Sequence, residues 1–130
     1  MVIDTSALLA GLLREPAADR LLAAIQASSA RHVSVATVLE ASLVLLARIG
    51  DQGDLELDAF LRELAVEVVP ATAEQSRIAR DAAVQFGKGR HPAGLNYGDL
   101  FSYALAASLG EPLLFVGDDF SKTDVTVAGW

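Results

Sequence analysis

Short β-branched apolar runs alternate along the chain with longer Ala- and Leu-rich stretches. Apolar residues spaced three and four apart mark helices, and compact apolar runs bounded by turn residues mark buried strands. Met1–Ile3 predicts a first strand leading into a helix near Ser6–Leu13. Pro16 opens a second helix to about Ala27, with Leu21, Leu22 and Ile25 as its apolar stripe. His32–Val35 predicts the second strand. Thr37 is placed to cap a helix through Arg48 that stops at Gly50. Leu55–Leu64 predicts another helix, and Val66–Val69 a third strand closed by Pro70. Thr72 caps a helix reaching Phe86 and ended by Gly87. Gly87–Tyr97, rich in glycine and basic residues and holding Pro92, predicts a surface loop. A helix over Gly98–Leu109 follows, stopped by Gly110 and Pro112. Leu113–Val116 is the fourth predicted strand and Val125–Val127 a weak fifth.

Strands alternating with helices predict an α/β domain built on a parallel sheet. With 130 residues, no internal repeat and no linker-like stretch, residues 1–130 are expected to form a single domain. Hydrophobic residues make up 52% and charged residues 21%, enough apolar material for a sizeable core. There is no cysteine, which excludes disulfides and thiolate metal sites and suits a reducing compartment. An acid stands at position 4 where a signal peptide would be basic, and no apolar run nears the ~20 residues of a membrane span. A soluble, cytoplasmic protein with no membrane partner is the expectation. The net charge of −7 disfavours a large phosphate-binding surface, yet divalent cations can supply positive charge locally, and a basic peptide partner would also suit it.

Several acids stand where chemistry is easier to place than structure. Asp4 directly follows the first strand, and in open α/β sheets ligands gather beyond the carboxyl ends of the strands. It can equally cap the next helix. Glu40 lies in Val38-Leu39-Glu40-Ala41-Ser42-Leu43-Val44, a helix apolar nearly all round and so expected to be buried, where a bare carboxylate is costly. The plain alternative is an exposed Glu40 favoured by the helix N-terminus. Asp99 opens the helix after the basic loop, an ordinary place for an acid, but that helix is otherwise mostly apolar. Asp118 and Asp119 follow the fourth strand, either as a polar turn or as acids on the same sheet edge as Asp4; Asp124 reads as a turn residue.

Carboxylates converging on one edge would repel and raise one another's pKa. A hard divalent ion such as Mg²⁺ or Mn²⁺ removes that penalty, prefers oxygen ligands, keeps exchangeable waters and can activate one of them beside a phosphodiester.

Asp4-Thr5-Ser6-Ala7-Leu8 after an amino-terminal strand, then Glu40 and Asp99 on later helices and an acid after the next strand, resembles the ordered acidic set of PIN domains. Gly87-Lys88-Gly89-Arg90-His91, Leu95-Asn96-Tyr97-Gly98-Asp99 and Leu114-Phe115-Val116-Gly117-Asp118-Asp119-Phe120 are similar, more narrowly, to the VapC-type toxins of VapBC toxin–antitoxin pairs. The likeness runs in order along essentially the whole chain. It implies a three-layer α/β sandwich, with a parallel sheet of four to five strands and helices on both faces. It implies an Mg²⁺- or Mn²⁺-dependent endoribonuclease that hydrolyses RNA through metal-activated water without a covalent intermediate. Asp4 and Asp99 would be the metal ligands, and Glu40 and Asp119 would complete a four-acid catalytic set. Thr5, Ser6 and Asp118 would support it, and Lys88, Arg90 and His91 would hold the RNA backbone. The commoner pattern has an Asp where this chain has Gly117, so Asp119 is taken as the fourth acid and Asp118 as its alternative. An antitoxin blocking the acidic pocket, a toxin homodimer and a toxin–antitoxin hetero-oligomer are implied partners.

Other activities fit poorly. There is no Gly-x-Ser-x-Gly, only His32 and His91 are available as bases, and no Walker-type phosphate loop occurs. A phosphatase or receiver domain would want a second acid close to Asp4 and a strand-end lysine. The rival of a different class is a non-catalytic PIN-fold module that binds RNA or protein, its acids serving only as caps.

Overall fold

The computed structural model describes residues 1–130 and consists of four short strands and six helices. In chain order these are β1 (Val2–Ile3), α1 (Thr5–Leu12), α2 (Ala18–Ala27), β2 (His32–Ser34), α3 (Val35–Ile49), α4 (Gln52–Glu63), β3 (Glu67–Val69), α5 (Ala73–Phe86), α6 (Tyr97–Leu109) and β4 (Leu113–Leu114). A short 3-10 turn, Phe120–Lys122, follows. The sheet order is β3-β2-β1-β4 with every pairing parallel, and Val2 faces His32 on one side and Leu113 on the other. The weak fifth strand reduces to one parallel bridge, Leu113 to Val127, and Phe115 and Val116 run past the end of β4.

Alternation along the strands sends side chains to opposite faces. Ile3, Val33 and Leu114 pack with Leu8, Leu21, Ile25, Leu45 and Leu57 from α1, α2, α3 and α4. Val2, Leu113 and Phe115 pack with Ala82, Tyr103 and Leu105 from α5 and α6. Helices therefore cover both faces of the sheet, giving the expected three layers. Arg31 locks the first of these layers: its guanidinium group donates to the Ile25, Gln26 and Leu64 carbonyls, closing the ends of α2 and α4.

Several boundaries differ from the sequence expectation for local reasons. Thr37 does not cap α3: Ser34 does, accepting from the Ala36 N–H, because β2 runs into α3 with no intervening loop. Thr37 lies a turn inside, fully buried, its hydroxyl 3.2 Å from that of Ser102 on α6. Val35 is accordingly the first helical residue and not part of β2. The α3 helix is also not buried all round. Thr37, Ala41 and Leu45 are buried against the core and Val38 packs beside them, while Leu39 (61% exposed), Leu43 (57%) and Leu46 form an outward apolar face. Its nearly unbroken apolar sequence thus reflects two faces with different surroundings, one against the sheet and one open. The Gly87–Tyr97 loop is less superficial than its composition suggests, since Ala93 and Leu95 are buried and Gly87 bridges Leu95.

Candidate active site

The strand order reverses direction between β1 and β4, the place where an α/β sheet opens a crevice beyond its strand ends. Asp4 is the residue that leaves β1 there. It caps α1: the Ser6 N–H (2.9 Å) and the Ser6 hydroxyl (2.6 Å) both donate to its Oδ2. Asp4 as a whole is only 4% exposed, and no cation pairs with its carboxylate. Ser6 also accepts the Val116 N–H at 3.0 Å, so one hydroxyl ties the ends of β1 and β4 together. Thr5, buried beside it, donates to Glu40 Oε2 at 2.5 Å.

Glu40 reaches this point from α3, half-buried rather than enclosed, with Gly98 of α6 against its carboxylate. Asp99, one residue further on, belongs to a capping box: it accepts from the Asn96 N–H at 2.8 Å while the Asn96 side chain accepts from the Asp99 N–H at 3.1 Å. Burial pushes the Asp99 carboxyl up to about 6, against the lowering effect of the Asn96 N–H, and the charges of Asp4, Asp119 and Glu40 push it the same way. The four acids named from the sequence are thus close enough to act on one titrating group.

The two acids after β4 separate clearly. Asp118 is held by Lys122 at 2.7 Å, whose ammonium keeps its carboxyl below the usual range. Asp119 has no ion pair and adds its charge to the Asp99 site. Gly117 turns the chain at φ 113°, a conformation an Asp side chain would occupy only with strain. Lys88 and Arg90 are exposed and unpaired on the loop before α6, whereas His91 stacks edge-on against Phe86 and its Nδ1 accepts from the Ala93 N–H.

The donor set fits a hard divalent cation: all oxygen, uncompensated by any Lys or Arg within 4 Å, and mutually repulsive at Asp99. No three acids or histidines are grouped closely enough to enclose an ion. An ion held there would rest on two of these carboxylates, with water completing its shell, a mode of binding that Mg²⁺ commonly adopts. Sequence reasoning missed Gly98, whose only signal is a glycine inside the first turn of a helix. Beside the acids, Ala36, Leu39, Leu43, Tyr97 and Phe101 line an apolar groove of about 520 Å³ between α3 and α6, with Glu40 in its wall.

A parallel sheet in this order, with acids converging at its switch point, defines a class that sequence comparison identifies independently: the chain belongs to the PIN-domain family, whose family model (PIN domain) matches residues 1–125. Within that family it falls among the VapC ribonucleases. Ribonuclease VapC30 of Mycobacterium tuberculosis is 54% identical over 129 residues, 98% of each chain. The solved structure of VapC20 of Mycobacterium tuberculosis, described as a Sarcin-Ricin loop cleaving toxin, superposes with a TM-score of 0.76 at 18% identity, covering 96% of this chain and 95% of that one. VapBC2 from Rickettsia felis, bound to a DNA fragment from its promoter, gives 0.77 at 13% identity, covering 97% and 94%. These two likenesses speak for the fold.

Proposed function

We propose that the chain is a divalent-metal-dependent endoribonuclease that acts as the cytoplasmic toxin of a toxin–antitoxin pair. The observation that carries this reading is the gathering of Asp4, Glu40, Asp99 and Asp119 about the β1–β4 crevice with no cationic side chain to neutralise them. Such an arrangement costs stability unless a cation completes it. Asp4 and Asp99 are the proposed holders of Mg²⁺ or Mn²⁺. When bound, the ion would polarise the phosphodiester and make water a stronger nucleophile at neutral pH. Glu40, oriented by Thr5, is set to accept the proton of the attacking water, and Asp119 adds its negative charge beside Asp99. Ser6 keeps Asp4 in place through its double hydrogen bond. The water oxygen adds to phosphorus as one P–O ester bond breaks, with no protein nucleophile involved. Lys88 and Arg90 are the proposed contacts to the RNA backbone, with His91 orienting the loop through Phe86.

The partner proposed is an antitoxin whose apolar side chains fill the α3–α6 groove and whose cationic residue reaches Glu40. Self-association into a homodimer, and a hetero-oligomer with that antitoxin, belong to the same reading. The open spacing of the acids favours one alternative, a PIN-fold module that binds RNA or protein without cleaving it.

The test is cleavage of a mixed cellular RNA pool by purified protein, with Mg²⁺ or Mn²⁺ and with EDTA, alongside Asp4→Ala. Discrete products that need both the metal and Asp4 support the nuclease. RNA retained on the protein but left intact supports the binding module.

A further inference from the structure

Gly98 occupies the second position of α6, where a glycine weakens a helix and nothing about the turn demands one. A Cβ built there would lie 2.3 Å from Oε1 of Glu40 and 2.5 Å from Oε2, separations that no real Cβ shows. The Glu40 carboxylate therefore occupies the space that any other residue at 98 would fill. On its far side Oε2 takes the Thr5 hydroxyl at 2.5 Å, so the carboxylate is set between the first turn of α1 and the first turn of α6.

We propose that Gly98 is a positioning residue for the cleavage reaction: its missing side chain lets Glu40 lie across the start of α6 in reach of Thr5 and beside Asp99. This rests on the nuclease reading above. The obstructing atoms are the tip of a flexible, half-exposed side chain and not backbone, so Gly98→Ala will be met by Glu40 swinging out into the α3–α6 groove, with the fold intact. Alanine favours the helix, so thermal stability stays near wild type or rises. The carboxylate, however, is displaced by an ångström or more, a scale at which enzyme rates fall by about 10²-fold.

Two measurements test this. In RNA cleavage, Gly98→Ala is expected to lose about 10²-fold, and Glu40→Ala a comparable or larger factor. The double variant should be no slower than Glu40→Ala alone, because glycine matters only through that carboxylate. Losses that multiply, or a fully active Gly98→Ala, overturn the proposal. Independently of activity, the Thr5 methyl resonance of the metal-free protein should move on Gly98→Ala as it does on Glu40→Ala, since both remove the same hydrogen bond. An unmoved Thr5 signal in Gly98→Ala also overturns it. A wild type that cleaves no RNA overturns the nuclease reading instead, while the Thr5 signal still decides whether Gly98 places Glu40.

Discussion

Asp99 carries its charge against the preference of the fold. An acid whose carboxyl is raised to about 6 in the native state, against the usual 3.8, is bound to its proton more tightly folded than unfolded. Its contribution to stability is fully present below about pH 4 and is lost as pH rises through 6. Asp99 is only partly buried, so after allowance for solvent screening the loss is roughly 1–2 kcal/mol. Asp99→Asn removes that loss while its amide oxygen can still accept the Asn96 N–H that closes the capping box. Melting curves of the metal-free proteins should therefore coincide near pH 4, diverge in favour of the variant up to about pH 6.5, and run parallel above. A gap of constant size across that range would mean the substitution acts through packing and not charge. In cleavage the same variant should be inactive. Asp4 shows why single acids were hard to read from sequence: capping α1 and facing the proposed site are the same position, so neither role excludes the other.

Secondary structure was most legible where a side chain both breaks the pattern and bonds to the backbone. Thr72 accepts from the Gln75 N–H as expected, and Gly87 and Gly110 end their helices. Thr37 failed because a threonine early in an apolar run looks the same whether it caps a helix or bonds sideways to another one. Its true partner, Ser102, is 65 residues away, and no local spacing could have signalled it. The pair fixes the crossing of α3 and α6, the two helices that carry Glu40 and Asp99. Thr37→Val leaves the Ser102 hydroxyl buried without its partner and should cost about 1–3 kcal/mol by chemical denaturation. Ser102→Ala added to it should recover part of that loss, because two apolar neighbours strand no polar group. If the double variant is less stable by the sum of the two single losses, the hydroxyls are not coupled. The apolar face of α3 was illegible for another reason: leucines at solvent positions give the same pattern as core leucines until the sheet shows which side is covered.

At the scale of the whole molecule, topology does what no segment could announce. Placing β1 between β2 and β4 brings Asp4 beside Leu114 and Ser6 beside Val116, and lets helices from opposite layers deliver Glu40 and Asp99 to one edge. Even the last residue is tied to this frame, Trp130 donating to the Phe115 carbonyl while Arg20 lies 5.0 Å over its ring. The chain invests in a like-charged cluster that a cation would complete, and global stability must therefore report that cation. At Mn²⁺ concentrations near 100 times the dissociation constant, linkage adds about 2.7 kcal/mol, which for a domain of this size raises Tm by roughly 10 °C. A chain of net charge −7 also attracts divalent ions diffusely, so a rise in Tm alone does not locate the site. Asp4→Ala removes one charge of that total and leaves the diffuse field nearly intact. Wild-type protein should gain stability with Mn²⁺ and lose it again with EDTA, while Asp4→Ala should show little response. Equal gains in both proteins would move the ion away from the β1–β4 crevice, and with it the proposed chemistry.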